Sequence, residues 1–268
     1  MLAFAGALLV SARSGNAAEP PGNTRTLPCR PTIACTADLV PPGAFEIEAG
    51  TLFRRLGTTG RQWTFPFVAK LTTARWFQLQ VGSNGYSIAH GDVPAQFLDD
   101  AEIGGKVHLL DQGDLVPSLS LSATASIPTL AGQGYLRTYD ALFTAYATKD
   151  FGPLHVDFNC GENIWRIDRG PLPQEFVAVA LSMNLPPPLG IMAETYYFTD
   201  ASPVAARDGG FLFAINHSPK PWLMFDFGGD VGMFPSTRAY SVFVGMSLIP
   251  VLLWRSNALA DRAPARDR

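Results

Sequence analysis

The chain reads as an all-β protein, an antiparallel up-and-down transmembrane barrel of about twelve strands. Three observations carry that reading. About a dozen stretches alternate apolar with polar or small residues; the segments joining them are alternately short and long; and residues with a strong helical period are missing. The 25 glycines, 22 prolines, 11% aromatics and only 16% charged residues suit many strands joined by tight turns and speak against a helical bundle.

The first strand shows the logic. In Phe45-Glu46-Ile47-Glu48-Ala49-Gly50-Thr51-Leu52-Phe53, Phe45, Ile47, Ala49 and Phe53 fall on one face, and Glu46, Glu48 and Gly50 on the other. Period-two reading continues through strands near 44–55, 63–73, 76–86, 102–111, 118–127, 138–149, 154–167, 175–184, 190–199, 209–217, 222–231 and 240–250. The connections after the even-numbered strands are brief, at 74–75, 112–117, 150–153, 185–189 and 218–221. Those between are longer, at 57–62, 87–101, 128–137, 168–174, 201–208 and 232–239. An even strand number with short turns on one side and long loops on the other is the rule for bacterial outer-membrane barrels. Trp63, Trp76, Tyr86, Trp165, Trp222, Tyr240 and Trp254 stand near strand ends, where interface girdles belong.

The barrel is expected over 44–250. Ahead of it, residues 1–18 read as a signal peptide with an apolar run from Leu2 to Val10, although no Lys or Arg precedes that run; a buried N-terminal helix is the alternative. Residues 19–43 are expected as a periplasmic N-terminal segment, and 251–268 as a polar tail. Cys29 and Cys35 form a close pair that suits a disulfide in an exported protein, with two free thiols as the other reading; their spacing and the lack of His partners argue against zinc. Cys160 lies within a strand pattern as a small wall residue.

Function classes narrow by chemistry. A net charge of −3 gives no footprint for nucleic acid. Asn216-His217-Ser218 brings nucleophile and base types together, but adjacent strand residues point to opposite faces, and the stretch reads as the approach to a turn. His90-Gly91-Asp92 has no further ligand at metal spacing, and the paired glycines lack the context of a phosphate loop. The chain is therefore not read as an enzyme, and no cofactor or metal is expected. The residues that could carry function are those alternation turns inward: Glu46, Glu48, Lys70, Gln78, Gln80, Lys106, His108, His155, Asp157, Asn159, Glu194, Asp226 and Asp230. Charges of both signs in a narrow lumen can line an aqueous path and set selectivity, or pair with one another and close it. A periplasmic β-sandwich is the rival fold, but these polar groups would occupy its inner faces strand after strand.

Cys35-Thr36-Ala37-Asp38-Leu39-Val40-Pro41-Pro42-Gly43 running into Phe45 to Gly50, Leu79-Gln80-Val81-Gly82-Ser83-Asn84-Gly85-Tyr86, Thr148-Lys149-Asp150-Phe151-Gly152-Pro153-Leu154 and Asp226-Phe227-Gly228-Gly229-Asp230 together resemble a family. It is the phenol-degradation (MetA-pathway) outer-membrane family, often labelled transporter. The resemblance spans about 29–250 and implies a barrel in the outer membrane of a Gram-negative bacterium. It further implies passage of small molecules, apolar or aromatic ones among them, and supplies no catalytic residues. The expected partners are outer-membrane lipid, a small-molecule solute and the barrel-assembly machinery, around a monomer. The alternative function is a non-transporting structural or interaction barrel whose lumen is closed by charge pairs.

Overall fold

The structure is a computed structural model that describes residues 22–30, 32–57, 60–91, 95–127, 140–167, 170–202, 205–234 and 239–254. The expected signal peptide and the tail beyond 254 lie outside the described residues. Twelve antiparallel strands form one sheet. They are β1 (Ala44–Leu56), β2 (Gly60–Thr64 and Phe67–Ala74), β3 (Phe77–Ser83 and Tyr86–His90), β4 (Ala95–Leu98 and Ala101–Leu110), β5 (Ser118–Ile127) and β6 (Ala141–Phe151). They continue as β7 (Leu154–Ile167), β8 (Gly170–Asn184), β9 (Leu189–Ser202), β10 (Ala205–Lys220), β11 (Leu223–Gly232) and β12 (Tyr240–Leu252). Each strand pairs with its sequence neighbours, and β12 pairs with β1 from Ala44↔Leu252 to Arg55↔Tyr240, which closes the barrel. Closure leaves no strand edge to be satisfied by lipid.

Three strands are interrupted at adjacent positions. In β2 the break falls at Pro66, which has no N–H to give, yet its carbonyl still accepts from Gly50 at 3.1 Å, so register is kept. In β3 the break is a bulge: Phe67 faces Ser83 while Thr64 faces Ser87, leaving one extra residue on β3. Gly85 sits there at φ 71°.

Several bounds differ from the sequence expectation, most of them by longer strands. The connections expected at 57–62, 87–101, 168–174 and 201–208 are half or more strand, because β2 starts at Gly60, β3 runs to His90, β4 starts at Ala95, β8 at Gly170, β9 runs to Ser202 and β10 starts at Ala205. Hairpin hydrogen bonding continues past the lipid-facing stretch, where both faces meet water and alternation fades. β10 also runs to Lys220, so His217 and Ser218 belong to a strand and the turn is Pro221-Trp222. The barrel ends at Leu252 instead of residue 250.

The wall is apolar outside and polar inside. Phe211, Phe213, Phe225, Phe227, Val242 and Val244 are exposed on the outer face, whereas Glu46, Glu48, Lys70, Lys106, Asn159 and Ser247 are among the most buried side chains. Trp63, Trp76, Tyr86, Tyr240 and Trp254 are exposed, in keeping with a girdle. Trp165 and Trp222 are not part of it. Alternation from Asn159 turns Trp165 inward with its indole N–H buried, and Trp222 packs on Val40, Ala44 and Ile249. Cys160, a free thiol, takes its place in the wall between Ala145 and Val177.

Candidate functional site: a lumen filled by the N-terminal segment

The segment ahead of β1, expected in the periplasm, is seated in the barrel. It starts at the short-turn end, where Thr26 N donates to Pro221 O at 3.0 Å. Leu27 N then donates to Glu46 at 2.8 Å, and Lys70 Nζ to Leu27 O at 2.9 Å. Cys29 N and Arg30 N both donate to the Glu48 carboxylate, at 3.0 and 2.9 Å. The chain reverses within a loop closed by the Cys29–Cys35 disulfide. Its far side meets the opposite wall, where Ile33 N and Ala34 N donate to Glu194 at 3.0 and 3.2 Å.

The return leg is held by strands β4 to β7. The Asn159 amide, oriented to satisfy both its groups, accepts from Cys35 N at 2.7 Å and donates to Cys35 O at 2.9 Å. Lys106 Nζ donates to Thr36 O, Ala37 N donates to Thr148 Oγ1 at 2.7 Å, and Ser120 Oγ donates to Ala37 O. Asp38 accepts from Ser118, and the segment re-joins the wall where Gly43 N donates to Thr72 O at 2.8 Å. Apolar contacts accompany the polar ones: Ile33 and Ala34 lie on Ala178, Ala180, Tyr196 and Phe198, and Val40 lies on Ala44 and Ile249.

Of the inward set read from alternation, Glu46, Glu48, Lys70, Lys106, His108, Asn159 and Glu194 meet the backbone of the segment, whereas Gln78, Gln80, His155, Asp157 and Asp230 pair with other residues of the wall. Glu46 and Glu48 share Lys70, which is 3.6 Å from Glu46 and in direct contact with Glu48. Gln78 donates to Thr72 at 3.0 Å, and Gln80 to Gln78 at 2.9 Å. His108 Nδ1 lies 3.3 Å from Ala37 O, with Nε2 2.9 Å from Asp111. His155 bridges Asp150 at 2.6 Å and Asp157 at 3.3 Å near the β6–β7 turn, and Asp157 in turn accepts from Thr148. Asp230 accepts from Tyr196 and Ser241. Asp226 is buried with neither carboxylate oxygen hydrogen-bonded, and its nearest compensating charge is Arg30.

Arg30, at the tip of the segment, was not legible as a lumen residue. It lies over Gly50, where a Cβ would collide with the guanidinium, while a Cβ on the cross-strand partner Gly245 would collide with Asp226. Burial pushes the Arg30 pKa below its ordinary value, and Asp226 and Glu48 act in the opposite direction. Beside it is a cavity of about 220 Å³ lined by Leu52, Pro66, Val68, Phe243, Asn84 and Glu102. Tyr146, stacked under Lys106 with its ring centroid 4.2 Å from Nζ, and Tyr196 were also missed, because tyrosine in a strand reads as wall or girdle.

No protein-family model matches the chain, and neither does any curated protein. Among solved structures, the barrel is similar to the COG4313 outer membrane channel from Pseudomonas putida F1, with a TM-score of 0.59 at 10% identity over 79% of this chain and 97% of that one. The chain has the fold of an outer-membrane channel. It is also similar to the NanC porin, with a TM-score of 0.53 at 7% identity over 76% of this chain and 99% of that one. At such identities the likeness concerns the closed twelve-strand barrel; the inward residues have to be argued from this chain's own contacts.

Proposed function

We propose that the protein is a monomeric outer-membrane channel of a Gram-negative bacterium that admits small molecules and is gated by its own N-terminal segment. The observation that carries this reading is how the segment is held. Glu46, Glu48, Glu194 and Thr148 bind it through backbone N–H groups, contacts that water can replace when the segment withdraws. A core fused for stability alone would call for apolar packing instead, since buried charge is a poor route to stability.

The solute class follows from the lumen beyond the segment. Leu52, Met192, Leu212 and Phe243 form an apolar side, and Arg30, Asn84 and Glu102 line the adjoining cavity with polar groups. Such a surface suits small amphipathic molecules, apolar or aromatic compounds with one polar group among them. That agrees with the phenol-degradation family that the motifs resemble, and the inward residues from Glu46 to Asp230 then set selectivity. The competing reading is a non-transporting barrel closed by these same contacts, favoured by the extent of the segment's hydrogen bonding.

Single-channel recording in planar bilayers separates the two. The full chain should show small or rare openings, and a variant lacking 22–40 a conductance several-fold higher. If the deleted variant inserts and remains silent, the channel reading fails.

A further inference from the structure

We propose that Arg55, Arg61 and His90 form a binding site on the outer wall for the phosphate groups of a phosphorylated glycolipid of the outer leaflet. The proposal rests on the outer-membrane reading above and adds a specific ligand to it.

The placement comes from register. Arg55 of β1 is directly opposite Arg61 of β2, Arg61 is directly opposite His90 of β3, and on its other side Arg55 faces Tyr240 of β12. Tyr240 is exposed, as is Trp63, and both fall outward by alternation from buried Ser241 and Thr64. Arg55, Arg61 and His90 therefore point outward too, with Arg61 and His90 exposed. A multivalent anion lying over the exposed Arg61 and His90 would gain charge-assisted hydrogen bonds from them, with Arg55 beside Arg61 in the same row.

Membrane position identifies the anion. Continuing the same hydrogen-bonded row away from Arg55, Tyr240 faces Val231 and Val231 faces Phe211, both strongly exposed. Barrel strands tilt, so such a row climbs across the membrane instead of running level. Read along its slope it gives Phe211, Val231, Tyr240, Arg55, Arg61 and His90: hydrocarbon, interfacial aromatic, then basic side chains. The row beneath, Val242, Phe53, Trp63 and Ile88, is apolar throughout, with Phe53 and Trp63 ring centroids 4.9 Å apart. The basic groups thus stand where lipid headgroup phosphates lie above a girdle. On β7 and β8 the outward pair Glu162 and Glu175, also directly opposite, is acidic.

The test uses the full chain inserted into phosphatidylcholine vesicles doped with diphosphoryl lipid A, re-extracted in mild detergent, with retained lipid A measured by mass spectrometry. Retention should fall about tenfold in Arg61→Gln/His90→Gln and further with Arg55→Gln added. It should be intermediate with monophosphoryl lipid A, unchanged in Glu162→Gln/Glu175→Gln, and resistant to free inorganic phosphate. Equal retention by an Arg61→Gln/His90→Gln variant that keeps heat-modifiable gel migration overturns the site. Equal retention of dephosphorylated lipid, or displacement by inorganic phosphate alone, overturns it as well. A wild-type chain that does not insert overturns the outer-membrane reading and the site with it, whereas an inserted chain that retains no lipid A overturns the site alone.

Discussion

Lys70 is the residue on which the short-turn half of the lumen depends. It is buried between Glu46 and Glu48, and both carboxylates also hold the N-terminal segment. Lys70→Met should leave two buried carboxylates facing each other and lower stability by about 3–5 kcal/mol, read as a drop in the temperature of heat-modifiable migration. Adding Glu46→Gln and Glu48→Gln should restore much of that loss, because no unpaired charge then remains. Glu194 acts on the opposite wall. Glu194→Ala strands the Ile33 and Ala34 amides at about 1–3 kcal/mol each, and should raise channel open probability without unfolding the barrel. The direction of these side chains was legible from alternation alone. Their partners were not, because Glu194 meets a residue 161 positions away in sequence, and no local pattern encodes such a pairing.

At the scale of elements, strands were legible and the segment seated in the lumen was not. The N-terminal segment has no period, since its backbone hydrogen bonds go to side chains of the wall and leave no regular constraint on its own sequence. Its one legible device was the cysteine pair, six positions apart. Closing so short a loop restricts the free segment by about 2 kcal/mol on the chain-entropy account. Cys29→Ser/Cys35→Ser should therefore leave the barrel's heat-modifiable migration unchanged while increasing open-state noise in bilayer recordings; identical recordings would show that the loop's tie is irrelevant to closure. The bulge on β3 makes a separate demand. Gly85 has φ 71°, and a Cβ there would collide with the Phe65 carbonyl. Gly85→Ala should cost at least about 1–2 kcal/mol in the same gel assay, against near neutrality for the exposed Gly152 turn if replaced by Asn, a residue that tolerates positive φ.

For the whole molecule, what decides everything is that the apolar side of each strand faces out. A soluble protein of this size would bury Phe227 and expose Asp226; here Asp226 is 2% exposed and Phe227 59%. The two are adjacent in β11, so their exposures isolate the facing direction from every other variable. In an aqueous sheet, Phe227→Arg on so exposed a site would be nearly silent. In a bilayer, an arginine near mid-height on the lipid face costs about 2–4 kcal/mol. Phe227→Arg should thus lower insertion into phosphatidylcholine vesicles and the stability of the inserted form by that amount, with Phe227→Leu close to wild type. Asp226→Asn, one residue along and inward, should insert as wild type does, because it puts no charge on the lipid face; its cost falls inside the barrel, on the pairing with buried Arg30. A Phe227→Arg chain that inserts as well as wild type would mean that hydrocarbon does not meet this face, and the barrel would then need a different solvent on its outside.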